Sequence, residues 1–168
     1  MGCDKSSATA PGRHTPDIRV SGLLVRDAQA LFVRQSKANA TYWLLPGGGV
    51  EQGEGIEEAL IREFREECSL EIDVDHRILA VVESISPDHG ATRHLIQLVL
   101  PVRELTAAVP QPTDPAVLEV AWFGVEYLDR LRLHPPINGA VGDWLRIMQQ
   151  HGRLPSDLPG VLTGPLWS

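Results

Sequence analysis

Gly48-Gly49-Val50-Glu51-Gln52-Gly53-Glu54-Gly55-Ile56-Glu57-Glu58-Ala59-Leu60-Ile61-Arg62-Glu63-Phe64-Arg65-Glu66-Glu67-Cys68-Ser69-Leu70 is the stretch on which the reading of this chain turns. From Glu54 to Cys68, the residues Ile56, Ala59, Leu60 and Phe64 recur at helical spacing and predict an amphipathic helix with one apolar stripe. Each residue turns a helix by roughly 100°, so Glu63, Glu66 and Glu67, at i, i+3 and i+4, point to one side beside that stripe. Like charges at these spacings destabilise an isolated helix by a few tenths of a kcal/mol per pair. A bound cation converts that repulsion into ligation, and hard oxygen ligands suit Mg2+ or Mn2+. Most Glu-rich helices are simply solvated acidic faces. Here, however, Gly47-Gly48-Gly49 precede the helix, and a Gly-rich loop lets backbone groups approach a metal or phosphate. Loop and carboxylates together are much rarer by chance than either alone.

Working outward, Ile18 to Arg26 reads as a strand, Asp27-Ala28-Gln29 as a turn and Ala30 to Arg34 as a second strand, giving a hairpin. Tyr42 to Leu45 is a short strand running into Pro46-Gly47. Beyond the helix, strands are expected at about 71–85 and 93–103, with a loop from Ser86 to Ala91, and another strand at about 117–124. After Pro135-Pro136, a helix from Gly139 to Gln150 carries Val141, Trp144, Leu145 and Met148 on one face. This order predicts a layered α/β or α+β domain over 17–153, with a flexible leader over 1–16 and a Pro-containing tail over 154–168.

The 168 residues suffice for one domain with a real core, since 43% of them are hydrophobic. Asp plus Glu number 22 against 15 Lys plus Arg, a formal charge of -7, which argues against nucleic acid as a standing partner. A phosphorylated substrate is compatible with that charge when a divalent cation supplies the positive balance. Cys3 and Cys68 suggest no disulfide framework, so a cytoplasmic setting is expected. No apolar run approaches the ~20 residues of a membrane span. Met1-Gly2-Cys3-Asp4-Lys5-Ser6 fits the short N-myristoylation pattern, which matches often by chance; a disordered tail is the preferred reading.

The stretch Gly48 to Leu70 resembles the Nudix box, G-x5-E-x7-R-E-U-x-E-E-x-G-U, where U is a bulky apolar residue. Gly48, Glu54, Arg62-Glu63, Phe64, Glu66-Glu67 and Leu70 fill its places, and Tyr42-Trp43-Leu44-Leu45-Pro46-Gly47 resembles the usual lead-in. One position departs: Ser69 stands where the box has its second Gly, at a cost of ~1 kcal/mol if a left-handed conformation is kept. Ser69 removes no ligand and no proton donor.

The resemblance implies an α/β/α sandwich with a mixed β-sheet. It implies that Glu63, Glu66 and Glu67 hold Mg2+ (or Mn2+), joined by the Gly48 carbonyl. Arg62 then orients a carboxylate of the cluster by paired hydrogen bonds, and Glu54 braces the loop. Family members often take the general base from outside the box, and Glu83, Glu119 and the Asp88 loop are open candidates. Arg19, Arg34 and His94 are candidates to reach phosphate or sugar, and Trp43 and Tyr42 to stack on a base, although aromatic residues before a Gly-rich turn are more often packing. The histidines show no metal-ligand spacing, so no zinc site is expected.

Pro87 lies near the place where family members acting on ADP-ribose carry a Pro, and Asp114 to Pro136 is similar to members that hydrolyse nucleoside diphosphate sugars. The implied reaction is cleavage of ADP-ribose or a nucleotide sugar to a nucleoside monophosphate and a sugar phosphate. A sanitising pyrophosphatase for nucleoside triphosphates is the runner-up, with dinucleoside polyphosphates and capped RNA behind it. A non-catalytic nucleotide-binding regulator is the alternative from another class, and the retained carboxylates argue against it. Many nucleotide-sugar members are homodimers, and Leu166-Trp167 could dock in that way.

Overall fold

A computed structural model describes residues 15–37, 40–88, 91–154 and 160–163. The Gly2 pattern and Leu166-Trp167 lie outside the described residues, as do the side chains of Pro87 and Asp88. The strands are β1 (Asp17–Arg26), β2 (Gln29–Lys37), β3 (Ala40–Leu44), β4 (Gly47–Gly49), β5 (Ile72–Val74), β6 (Ala80–Asp88), β7 (Ala91–Glu104), β8 (Glu119–Phe123) and β9 (Gly160–Thr163); the helices are α1 (Ile56–Cys68), α2 (Val125–Leu128) and α3 (Asn138–His151).

The main path through the sheet runs β3-β2-β1-β7-β6-β9, with β4 beside β1, β5 beside β7 and β8 beside β2. It is mixed: β1 with β7 and β6 with β9 are parallel, and the other pairs are antiparallel. Alternation along each strand sends side chains to two separate cores. On one face Ala59, Leu60, Phe64 and Cys68 of α1 pack on Val20, Leu24, Leu31, Val33 and Leu100. On the other, Val141, Trp144 and Leu145 of α3 pack on Leu23, Phe32, Val82 and Val99. Each fully buried Leu or Phe contributes about 1.5–3 kcal/mol. These two layers, rather than helix propensity, hold α1 and α3 in place. The fold is thus the mixed sheet flanked by helices that the sequence predicts.

Several boundaries differ. The single strand expected over 71–85 is two, because Asp75 turns the chain: its carboxylate accepts the Arg77 N–H at 3.1 Å. The expected loop from Ser86 to Ala91 is mostly strand, with Asp88 paired to Ala91. Cross-strand pairing to β7 outweighs the Pro and Gly signals in that stretch. Within the expected tail, Gly160–Thr163 adds β9 to the edge of β6, a long-range parallel pairing without local sequence pattern. The short helix α2 was not anticipated; one turn carries too little periodicity to read.

Candidate active site

The helix α1 begins after Gly55, whose amide donates to the Glu58 carboxylate at 2.9 Å, and ends at Ser69. Ser69 adopts φ 55° and ψ 35°, the left-handed conformation that the box's glycine would supply. Its N–H reaches the Arg65 carbonyl at 3.1 Å and the Leu70 N–H reaches that of Phe64 at 3.2 Å, closing the helix end.

Two glycines bring the loop against the helix. Gly47 has φ 146°, and a β-carbon there would fall 2.1 Å from the Val20 carbonyl oxygen. At Gly48 a β-carbon would fall 1.9 Å from Glu63 Oε1, so the Glu63 carboxylate rests directly on the backbone of β4. The Arg19 guanidinium donates to the Gly47 carbonyl.

Arg62 organises the rest. Its Nε and Nη2 donate to the two oxygens of Glu54 at 2.8 and 2.9 Å, and Nη2 also reaches the Gly49 carbonyl at 3.1 Å. Nη1 donates to Glu63 at 2.9 Å and to Glu66 at 3.3 Å. The paired bonds expected on a carboxylate of the cluster therefore fall on Glu54, because the loop places that side chain broadside to the guanidinium. Glu63 and Glu66 receive single bonds. The Arg62 guanidinium holds the Glu54 carboxyl down at about 2.

Glu67 is different in kind. It is 3% exposed, accepts the Gly47 N–H at 2.8 Å and takes a second hydrogen bond from the Gln35 amide at 2.9 Å. Burial pushes its carboxyl up to about 7; the Gly47 amide and the Arg19 charge oppose that rise, while Glu63 and Asp114 add to it. Asp114 comes from the 105–118 connection, which is fastened to α1 by the Thr113 hydroxyl donating to the Glu66 carbonyl at 2.6 Å.

A sequence profile of the NUDIX domain matches residues 15–145. The chain belongs to the NUDIX family. It is 36% identical over 85 residues to an ADP-ribose pyrophosphatase of Methanocaldococcus jannaschii, an alignment covering 50% of this chain and 48% of that protein. The match thus spans about half the length of that curated relative. Among solved structures, a NUDIX hydrolase from Nitrosomonas europaea superposes with a TM-score of 0.71 at 17% identity, covering 95% of this chain and 85% of the other. An ADP-ribose pyrophosphatase from Streptococcus suis gives 0.63 at 19% identity, covering 88% and 99%. At these identities the structural likeness speaks for the fold.

Nudix hydrolases act on small nucleotide substrates and generally use a divalent metal. The donor set here is all hard oxygen: Glu63, Glu66, Glu67 and the backbone of β4. The three carboxylates do not converge on one point, and no group of three acidic, Cys or His side chains among the described residues forms a closed cage. Arg62 draws Glu63 and Glu66, while Gly47 and Gln35 hold Glu67. Such an open oxygen set fits a cation that keeps waters and shares phosphate oxygens, as Mg2+ does.

The remaining candidates divide between the two faces of the sheet. Arg34, Trp43 and Glu119 are cross-strand neighbours, with Arg34 bonded to Glu119 at 2.8 Å and lying 5.7 Å from the Trp43 ring centroid. They alternate with Val33 and Leu44, and so share the α3 face, opposite the carboxylates. Glu83 and His94 share the α1 face, joined at 3.0 Å. Tyr42 also lies on the α1 face, packed edge-on against His134 at 4.8 Å. Sequence reasoning missed Gln35 and Asp114. Gln35 carried a signal, since it follows Leu31 and Val33 on an otherwise apolar strand face; Asp114 carried none, because only the path of its loop brings it near Glu67. No helix among the described residues is long and apolar enough to cross a membrane.

Proposed function

We propose that this chain hydrolyses the diphosphate linkage of ADP-ribose or a nucleoside diphosphate sugar, with Mg2+ or Mn2+, giving a nucleoside monophosphate and a sugar phosphate. The observation that carries the proposal is the buried Glu67, tied to the Gly47 amide within a Gly-rich loop that also bears the Glu63 carboxylate. The similarity to a protein described as an ADP-ribose pyrophosphatase supports the substrate class.

In this reading Glu63, Glu66 and Glu67, with Gly48, hold the cation. When bound, it neutralises the diphosphate and lowers the pKa of the attacking water. Arg62 fixes the spacing between loop and helix through Glu54 and Gly49, and sets the directions of Glu63 and Glu66. The loop glycines let the substrate's phosphates approach the backbone closely. Glu67 is in electrostatic contact with Glu63 and Asp114 beside this loop, and Asp114 serves as a proton acceptor from outside α1. Arg34, Trp43 and Glu119, on the far face, serve the frame of the sheet rather than the reacting atoms.

The test is phosphate-coupled hydrolysis of ADP-ribose, nucleotide sugars, nucleoside triphosphates and a dinucleoside polyphosphate, with Mg2+, Mn2+ or EDTA. Metal-dependent turnover of the sugar-linked diphosphates over the triphosphates is expected. Preference for triphosphates would establish the sanitising reaction instead, and binding without any turnover would establish a regulator.

A further inference from the structure

We propose that the open part of the α1 face, floored by Ile18 and Ile96 and bounded by the Glu83–His94 pair, holds a ribose of the substrate, with Glu83 accepting hydrogen bonds from its cis-diol. The inference rests on the reading of this chain as a hydrolase of nucleotide-linked diphosphates.

Ile18 of β1 stands in register with Ile96 of β7, and Ile96 with Glu83 of β6, so the three form one row across three strands. All three lie on the α1 face, because they alternate with residues of the opposite core or continue the run of Val20 and Leu98. The helix covers the Val20, Leu100 and Val102 end of this face and, among the described residues, leaves the other end open: Ile18 is 40% exposed and Ile85, one step beyond, 52%. The row is next to the carboxylates. Gly48 and Gly49 pair with Val20 and Arg19, and the Val50 N–H donates to the Ile18 carbonyl at 3.0 Å.

Chemistry then narrows the occupant. From β4 to β6 is three strand spacings, roughly 14 Å, so Glu83 stands well away from the position of the diphosphate. A carboxylate at that remove repels another anion but suits a neutral, hydroxylated group. The apolar row between them suits the C–H face of a pentose or a base. Among the described residues His94 Nε2 engages Oε1 of Glu83, at 3.0 Å, and an ionised carboxylate has about four acceptor sites, enough for both hydroxyls of a cis-diol.

The experiment measures KM and kcat of the full chain with Mg2+ for ADP-ribose, its 2′-deoxyadenosine analogue and its analogue lacking the terminal 2″-hydroxyl. Wild-type enzyme is expected to lose affinity for one of the two analogues, which names the ribose held. Glu83→Ala should raise KM for ADP-ribose by roughly ten-fold or more, raise KM for that analogue, which keeps only the neighbouring hydroxyl, by a clearly smaller factor, and alter kcat far less. Glu83→Gln, which keeps one acceptor, should fall between. Equal KM for all three substrates in the wild type, or an equal rise for all three in Glu83→Ala, would overturn the inference while leaving the reaction standing. A fall in kcat without the KM pattern would place Glu83 on the reacting atoms instead. No turnover of ADP-ribose or any nucleotide sugar would overturn the underlying reading. A dimer that Ile85→Asp dissociates with no effect on KM would assign the face to a second copy.

Discussion

The Glu63 carboxylate lies over Gly48 so closely that a β-carbon at residue 48 would sit 1.9 Å from Oε1 and 2.5 Å from Oε2. The first glycine of the box is thus a contact surface for the helix, in addition to a flexible link. Gly48→Ala forces either the strand or the carboxylate to move. Because the atoms in the way are the end of a flexible side chain, the carboxylate gives way at a small stability cost, below about 1 kcal/mol, and turnover falls roughly 10²-fold through misplacement of Glu63. Steady-state kinetics with thermal unfolding checks this; unchanged turnover would mean that the position of Glu63 is immaterial.

The buried Glu67 carboxyl carries a stability cost when it ionises. Its carboxyl is raised from 4.5 to about 7, so the folded chain binds the proton more tightly than the unfolded chain does. In metal-free buffer, stability should therefore be fullest below the ordinary carboxylate range and decline as pH rises through about 7. Glu67→Gln should remove that decline and stabilise the chain at pH 8 in EDTA by about 1–3 kcal/mol. It should also cut turnover by roughly 10²–10⁴-fold. Urea unfolding across pH, compared with activity, separates the two effects. A variant less stable than wild type at pH 8 without metal would contradict the account.

Arg62 joins loop and helix through a planar fork. Arg62→Lys keeps the charge but cannot bond both oxygens of Glu54, the Gly49 carbonyl and Glu63 together. The expected result is a loss of turnover of about 10-fold or more with a modest change in melting temperature. Glu54→Gln should show a smaller loss, because Glu54 itself stands behind the arginine. Equal, wild-type rates in both variants would show that the brace does not position the carboxylates.

Ser69 holds a left-handed conformation at the end of α1. Ser69→Gly should relieve about 1 kcal/mol of backbone cost, less whatever the 3.4 Å contact with Thr113 contributes. A domain of this size would then melt roughly 2–4 °C higher, with kinetics unaltered. A lower melting temperature would show that the serine hydroxyl matters more than the backbone conformation.

The helix and its acidic side were legible in the sequence because both depend on spacing within one element. Phe64 and Leu60 give the buried stripe, and 3.6 residues per turn place Glu63, Glu66 and Glu67 beside it. The left-handed end at Ser69 followed from the same local logic. The hairpin and α3 were legible too, since their periodicity is local. By itself, then, the sequence determined the layered class, the box and which carboxylates crowd one side of the helix.

Only the tertiary structure decided what those residues touch. Glu67 meets Gly47 and Gln35 because β2, β4 and α1 converge across separations of 20 and 32 residues. Asp114 reaches the site because its loop is fastened to α1 by Thr113, and Arg34, Trp43 and Glu119 leave it because strand alternation turns them to the α3 face. Periodicity specifies which way a side chain points relative to its own strand. Which core that direction meets depends on pairing between distant segments, where register and loop path, absent from any local pattern, set the contacts.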